Sequence, residues 1–205
     1  MISLCANTVM NGLSCPEKVL IINGSPHQNG HTARLIRAAR DMLPQETQIF
    51  QWDCFRQMPL PCDDCGYCRT KNGCSKPDLH HFYEQLEQAD LLIFATPIYH
   101  RSCTGPMKIL LDRLQRYWSA RFIRGIRPPI KKPKNALLIA VSGSPTPEGG
   151  KILESQLTPQ LTVLNTRLIG SIQYYGGDGN APLEPAIQEL REILSFPRNY
   201  PDMML

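Results

Sequence analysis

The chain has 205 residues, 42% of them hydrophobic and 20% charged, which suits one α/β domain and excludes a disordered or membrane-embedded protein. The formal net charge of +4 is uneven, because residues 116–134 carry seven Lys or Arg and no acid. This excludes a nucleic-acid-binding protein with a basic face throughout. Since no signal peptide or span of roughly 18 apolar residues is found, we expect a cytoplasmic protein without a membrane partner, with reduced thiols.

Uninterrupted apolar runs predict five strands that are buried on both faces of a parallel sheet. Helical spacing of apolar residues predicts the helices between them. The expected strands cover 18–24, 47–52, 90–97 and 135–144, and the fifth starts at 168. The expected helices cover 32–43, 78–88, 105–118 and 185–196, with one more between the fourth and fifth strands. Asp78 is suited to cap the second helix, and the basic segment after residue 118 is expected to be a loop.

Strands that alternate with helices predict a three-layer, doubly wound α/β fold with strand order 2-1-3-4-5. We expect this domain at 18–197, with a cysteine-rich loop at 54–77 and tails at 1–17 and 198–205. Ligands of such sheets bind beyond the carboxyl ends of the strands, at the switch between strands one and three. The loops at that edge are 24–32, 96–105, 142–150 and 176–180.

The first of these loops, GSPHQNGHT, leads into the N-terminus of a helix, where free N–H groups and the helix dipole attract an anion. It has neither the Lys of a nucleoside-triphosphate loop nor the GxGxxG spacing of a dinucleotide loop. The pattern fits a terminal phosphate bound mostly by neutral donors, and it also fits a plain turn. Tyr99 and His100, after the third strand, could pack along a planar ring.

Three features resemble the flavodoxin-like NAD(P)H-dependent FMN reductases and the iron–sulfur flavoproteins. They are GSPHQNGHT, ADLLIFATPIYHRSCTGPMKILLDR, and the compact cysteine cluster between them, and the resemblance covers residues 18–177. It implies a flavodoxin-like fold that binds FMN. The residues that it places around the FMN phosphate are Ser25, His27, Asn29, His31 and Thr32. Those that it places along the ring and ribityl chain are Pro97, Ile98, Tyr99 and His100, with Ser142 and Gly143 closing the site.

This sequence departs from the family pattern at two positions of the phosphate loop. Relatives often have Arg or Lys where His27 stands and Asn where His31 stands. We therefore expect phosphate binding to be weaker or more dependent on pH than in those relatives.

Four cysteines follow the spacing C-x2-C-x2-C-x5-C, namely Cys62, Cys65, Cys68 and Cys74. Thiolates spaced this closely suit a [4Fe–4S] cluster, in which each iron takes one sulfur. Tetrahedral zinc and a loop of free thiols are the alternatives. Cys103 lies outside this run, in the loop that the resemblance places at the flavin, and is expected to have a packing role and no catalytic one.

The resemblance implies an FMN-dependent oxidoreductase that passes electrons from NAD(P)H to a small acceptor, such as free flavin, a quinone or a metal ion. The alternative is a one-electron carrier between FMN, a [4Fe–4S] cluster and a ferredoxin-like protein. A third possibility is a domain that binds FMN for structure or regulation. We expect no acid–base or nucleophilic residue, because the cofactors supply the redox chemistry. A homodimer or homotetramer is also implied by the resemblance.

Overall fold

The computed structural model describes residues 15–179 and 181–195, and there it forms a five-stranded, all-parallel sheet with strand order β2-β1-β3-β4-β5. The strands are β1 Lys18–Asn23, β2 Gln48–Asp53, β3 Leu91–Pro97, β4 Lys134–Val141 and β5 Thr166–Tyr174. The helices are α1 His31–Met42, α2 Tyr67–Thr70, α3 His80–Gln88, α4 Gly105–Asp112, α5 Gln115–Phe122, α6 Glu148–Val163 and α7 Glu184–Ile193. The predicted flavodoxin-like fold and strand order are confirmed.

Helices cover both faces of the sheet, which is why the central strands are apolar along their length. Helices α3, α4, α5 and α6 contribute buried side chains to one core, and α1 and α7 contribute to the other. The first six residues of β3 are all buried, because that strand lies at the centre of the sheet. The three-layer arrangement places the carboxyl ends of the parallel strands at one edge, where ligands bind in such folds.

The helix predicted at 105–118 is divided into α4 and α5. At the break the backbone forms hydrogen bonds between residues three apart, as in a 3₁₀ helix. The N–H of Leu114 donates to the carbonyl of Leu111, and the N–H of Tyr117 donates to the carbonyl of Leu114. The segment predicted as a basic loop therefore begins inside α5, which continues to Phe122. Apolar residues keep helical spacing through the break, so their periodicity could not reveal it.

Two smaller predictions near the cysteines were also wrong. The loop predicted at 54–77 contains the short helix α2, and a 3₁₀ turn at Pro77–Leu79 precedes α3. Asp78 does not cap that helix, because its carboxylate binds Arg113 and the N–H of Leu60 instead. Residues 1–14 and 198–205 of the predicted tails lie outside the described residues, so the domain boundaries stay a prediction. No helix within the described ranges is long and apolar enough to cross a bilayer.

Candidate functional site

Gly24 joins the carboxyl ends of β1 and β3 by direct backbone contact. Its N–H donates to the carbonyl of Ala95 at 2.8 Å, and its carbonyl accepts from the hydroxyl of Thr104 at 2.7 Å. A Cβ at this position would lie 2.8 Å from the Sδ of Met107 and 2.9 Å from the Oγ1 of Thr96. Only glycine fits without displacing these neighbours, so the start of the first loop is fixed against the loop after β3.

The first loop is shaped by hydrogen bonds from its own side chains. The Oδ1 of Asn23 accepts from the N–H of Ser25 at 3.0 Å, and the Oγ of Ser25 accepts from the N–H of His27 at 3.2 Å. Ser25 and Thr32 are buried, whereas His27 and Asn29 are exposed. The predicted phosphate residues thus lie in one loop, some turned inward and some toward solvent.

The N-terminus of α1 has polar groups that no described residue satisfies. Gly30 occupies the N-cap position, and no side chain caps the helix, so the first N–H groups have no partner within the helix. The Nδ1 of His31 is buried and has no hydrogen-bond partner among the described residues. Its ring packs against Tyr174, with 5.0 Å between the centroids. Uncapped amides beside an unpartnered imidazole nitrogen fit the terminal phosphate of FMN.

The loop after β3, residues 98–104, makes a tight turn that exposes Tyr99. Tyr99 and Ser102 exchange backbone hydrogen bonds of 2.9 and 3.0 Å around His100 and Arg101. Both of these central residues have positive φ, 50° and 63°, in a turn type that favours Asn and Gly. Backbone held in this rarely populated region is often found at ligand sites. Tyr99 is 46% exposed at the carboxyl end of β3, the placement that ring contact requires.

Ile98 and Pro97 contribute differently from Tyr99 and His100. The N–H of Ile98 donates to the carbonyl of Val141 at 2.7 Å, which holds the loop after β3 against β4. The Ile98 side chain packs against α6, where a Cβ on Gly149 would come within 3.0 Å of its Cγ2. The side chain of Ile98 is therefore used in packing, and its backbone and Pro97 remain the parts predicted to face the ring.

The loops after β4 and β5 meet beside His31. The carbonyl of Ser142, a buried residue, accepts from the N–H of Gly177 at 3.1 Å, and a Cβ on Gly177 would lie 3.2 Å from the Cδ2 of His31. The Asp178 carboxylate occupies the space that a Cβ on Gly143 would need. Sequence reasoning identified the loop at 176–180 but none of its residues. Asn180, at its end, lies outside the described residues.

All four cysteines of the predicted cluster line one small cavity, together with Lys76, Arg113 and Arg116. Cys62 and Cys65 are exposed, and Cys68 and Cys74 are half-buried. The thiol of Cys68 donates to the hydroxyl of Ser119 at 3.4 Å. The Sγ of Cys65 lies 3.1 Å from the Oγ of Ser75, and this hydrogen bond lowers the pKa of the Cys65 thiol. The Ser75 hydroxyl therefore favours the thiolate form of Cys65.

The described residues contain no group of three His, Cys, Asp or Glu placed to hold a metal ion. A single zinc ion needs such convergence on one point. A cubane cluster instead bonds each cysteine to a different iron, so its ligands surround a volume. The four cysteines line one cavity, but its volume of about 20 Å³ has room for about one water molecule, so the cluster stays a prediction.

Arg113 holds both ends of the cysteine segment, a role that sequence reasoning missed. It is 2% exposed and pairs with the Asp78 carboxylate at 2.9 and 3.1 Å. The same guanidinium donates to the carbonyls of Leu60 at 2.7 Å and Lys76 at 3.2 Å. An arginine on the apolar face of the predicted helix 105–118 was the available signal, because a buried charge requires partners.

Two further cysteines are buried away from this cavity. Cys54 is fully buried, and burial raises the pKa of its thiol to about 12. Cys103 is 7% exposed and packs in the core, where burial also raises its pKa. Buried neutral thiols are poor nucleophiles and poor metal ligands, so both cysteines have structural roles.

Comparisons with known proteins show the family of this chain. Residues 17–181 match the family model described as NADPH-dependent FMN reductase. An iron–sulfur flavoprotein of Methanocaldococcus jannaschii is 31% identical over 128 residues, which are 62% of this chain and 62% of that protein. An FMN reductase (NADPH) of Escherichia coli is 35% identical over 98 residues, 47% of this chain and 48% of that protein. The chain thus spans about half to two thirds of these curated relatives.

A solved structure shows the same fold. The NAD(P)H:quinone oxidoreductase of Methanothermobacter marburgensis matches with a TM-score of 0.68 at 18% identity, over 89% of this chain and 98% of that chain. At this level of identity the likeness concerns the fold alone.

Proposed function

The chain belongs to the NADPH-dependent FMN reductase family, and on that premise we propose that it binds FMN and passes electrons from NAD(P)H to a small acceptor. The first amides of α1 and His31 would hold the FMN phosphate, and Tyr99 would contact the ring. The observation that carries this proposal is the buried, unpartnered Nδ1 of His31 beside an uncapped helix N-terminus.

The residues of this site bind and orient the cofactor. The first amides of α1 and the His31 imidazole donate to phosphate oxygens, which satisfies groups that are otherwise without partners. The turn at residues 99–102 holds the Tyr99 ring at the mouth of the site. Bound FMN supplies the redox chemistry, since it accepts a hydride from a nicotinamide and returns electrons to an acceptor. No side chain needs to move a proton in this scheme.

The acceptor belongs to the class of small oxidants that can approach an exposed flavin, such as free flavin, a quinone or a metal ion. The test loads the purified chain with FMN and follows NADPH and NADH oxidation with each acceptor. We expect turnover with at least one acceptor and about a tenfold weaker FMN affinity in His31→Leu, because a hydrogen bond to a charged group is lost. His81→Leu, an exposed histidine of α3, is the matched control.

Two results would overturn this proposal. One is a chain that does not bind FMN. The other is a chain that binds FMN but oxidises neither nucleotide with any acceptor, which would instead favour a structural or regulatory use of the cofactor. The homodimer or homotetramer implied by the resemblance is measured in the same preparation by its mass in solution.

The cysteine cavity favours a second candidate, a one-electron carrier that exchanges electrons with a ferredoxin-like protein. Cys62, Cys65, Cys68 and Cys74 would hold a [4Fe–4S] cluster, which supplies one-electron transfer when present. The buried Nε of Arg113 has no partner among the described residues, and Lys76 and Arg116 also line the cavity. All three cations are already paired, Lys76 with Asp63, Arg113 with Asp78 and Arg116 with Glu87, so this candidate rests on the four cysteines themselves.

Anaerobic purification followed by iron and acid-labile sulfide analysis tests this second candidate. A cluster predicts about four iron and four sulfide per chain, both lost in Cys68→Ser. FMN without iron or sulfide would remove the cluster and leave a flavin enzyme with a loop of free thiols. Reduction by ferredoxin but not by NAD(P)H would favour the carrier over the reductase.

A further inference from the structure

A groove of about 440 Å³ opens between α1 and the turn after β2, on the outer side of the first loop. Its floor is formed by the ends of β1 and β2, at Asn23, Gln51 and Asp53. Ser25, Pro26, His27 and Gln28 close one end, and Phe55, which is 40% exposed, stands at the rim. The groove thus lies at the carboxyl edge of the sheet, where ligands of doubly wound folds bind.

The groove adjoins the proposed FMN site and shares Ser25 and His27 of the first loop with it. His31 packs against Tyr174 of β5, while Ala33 and Arg37 line the groove. Successive helical residues are rotated by about 100°, so His31 and Ala33 point to nearly opposite sides of α1. The arginines of the groove therefore lie on the β2 side of the first loop, and the His31 imidazole lies on the β5 side.

Three arginines line this groove. Arg37 and Arg40 lie on one face of α1, and Arg56 comes from the turn after β2. The Nη1 of Arg37 donates to the carbonyl of Gln28 and that of Arg40 to the Oε1 of Gln51, each at 3.2 Å. A guanidinium has five N–H donors, so most of their donors remain available. None of the three forms an ion pair with a carboxylate within the described ranges.

One acid lines the groove, and it is already engaged. The Asp53 carboxylate accepts from the Nδ2 of Asn23 at 2.5 Å and from the Nε2 of Gln51 at 3.1 and 3.3 Å. Three guanidiniums against one hydrogen-bonded carboxylate leave an excess of positive charge. Forked guanidinium donors match the oxygen geometry of a phosphate better than that of most other anions.

We propose that this groove binds the phosphate monoester of a nucleotide, with Arg37, Arg40 and Arg56 around the phosphate and Phe55 against the base or ring. Two sources share this chemistry: the 2′-phosphate of NADPH and the 5′-phosphate of free flavin used as acceptor. The choice of nucleotide rests on the proposed function, and the phosphate site itself does not.

Titration calorimetry of the FMN-loaded chain tests the site with two ligand pairs that differ by one phosphate monoester. The first pair is NADP⁺ and NAD⁺, and the second is additional FMN and riboflavin. We expect the phosphorylated member of one pair to bind roughly tenfold or more tightly than its partner. Arg56→Ala and Arg40→Ala abolish that preference. Arg34→Ala, an exposed α1 arginine outside the groove, keeps it.

The two ligand pairs distinguish the source of the phosphate. A preference for NADP⁺, with a raised NADPH KM and an unchanged NADH KM in Arg56→Ala, assigns the groove to the electron donor. A second FMN equivalent that Arg56→Ala removes assigns it to free flavin. If Arg40→Ala and Arg56→Ala bind all four ligands as Arg34→Ala does, the proposal is overturned. Because calorimetry needs no turnover, titration of FMN-free Arg34→Ala and Arg56→Ala with NADP⁺ and NAD⁺ tests the groove even if the reductase proposal fails.

Discussion

The loops around Gly24 and the cysteine segment are both next to the sheet but are held in different ways. Backbone hydrogen bonds from Gly24 and Ile98 fix the loops after β1 and β3 directly to neighbouring strands. The cysteine segment is joined to the domain by side-chain contacts: buried Arg113 binds Leu60, Lys76 and Asp78, and Cys68 donates to Ser119 of α5. The proposed flavin site is therefore held by backbone hydrogen bonds of the sheet, whereas the thiols are held by side-chain contacts, among them the Arg113–Asp78 ion pair.

Because of this difference, the two proposed cofactor sites can be destabilised independently. A change in the Arg113 pair alters the cysteine cavity and leaves the α1 N-terminus intact. A change at Gly24 displaces the phosphate loop and leaves the cysteines where they are. Variants at the two positions can therefore break one region without the other.

The largest effect is expected for Arg113→Met. The variant leaves the Asp78 carboxylate without its guanidinium and removes the donors of two carbonyls, which costs about 3–5 kcal/mol when a buried pair loses one partner. Urea unfolding measures this loss, and limited proteolysis reports opening between residues 54 and 77. FMN affinity is expected to stay within about twofold, since α1 is unaffected.

Arg69→Met is the matched control for that variant. Arg69 pairs with Asp64 inside the cysteine segment, but both side chains are at least half exposed, so the loss is at most about 1 kcal/mol. Equal destabilisation by the two variants would contradict the role given to Arg113.

A smaller loss of stability, located at the first loop and away from the cysteine segment, is expected for Gly24→Ala. The added methyl group meets Met107 and Thr96, and forcing these neighbours apart costs about 1–3 kcal/mol. FMN affinity falls because the first loop is displaced, whereas the iron content, if a cluster is present, does not. Gly105→Ala is the control, since a Cβ there meets nothing within 4 Å. A Gly24→Ala protein with unchanged stability and FMN affinity would refute the fixed-loop account.

The smallest expected effect is a dependence of the stability on pH, which comes from the Asp78 carboxylate. Burial raises the pKa of its carboxyl, but hydrogen bonds from Arg113 and the Leu60 N–H outweigh burial and hold the pKa below its usual value. Such a group stabilises the fold above the pKa of the unfolded chain, about 4, and loses that contribution as pH falls through the folded value. Urea midpoints of wild type and Asp78→Asn should therefore converge between pH 6 and pH 3. A constant gap would mean that the charge contributes nothing.

Most of the fold could be predicted from the sequence, because each strand is an uninterrupted apolar run and parallel topology fixes where their loops meet. The same argument located the loops that contain His31, Tyr99 and Ser142. It could not locate the division between α4 and α5, since Leu110, Leu114 and Tyr117 keep helical spacing through it. That division accompanies the contact between Arg113 and the distant Asp78, which only tertiary packing reveals.

The contacts across the candidate site were also beyond sequence reasoning. Asp178 fills the space above Gly143, and Thr104 binds the Gly24 carbonyl, in each case between loops that are far apart in the chain. The groove arginines were missed for a related reason. Arg37 and Arg40 have the spacing of an ordinary solvated helix face, and Arg56 joins them only because β2 pairs with β1.

The central claim is that the N-terminus of α1 binds the FMN phosphate. It is tested most directly by titrating the FMN-free chain with FMN and with riboflavin, which lacks only the phosphate. We predict that FMN binds at least about tenfold more tightly, because the phosphate satisfies the uncapped amides of α1 and the imidazole of His31. Equal affinities for the two flavins would contradict the account.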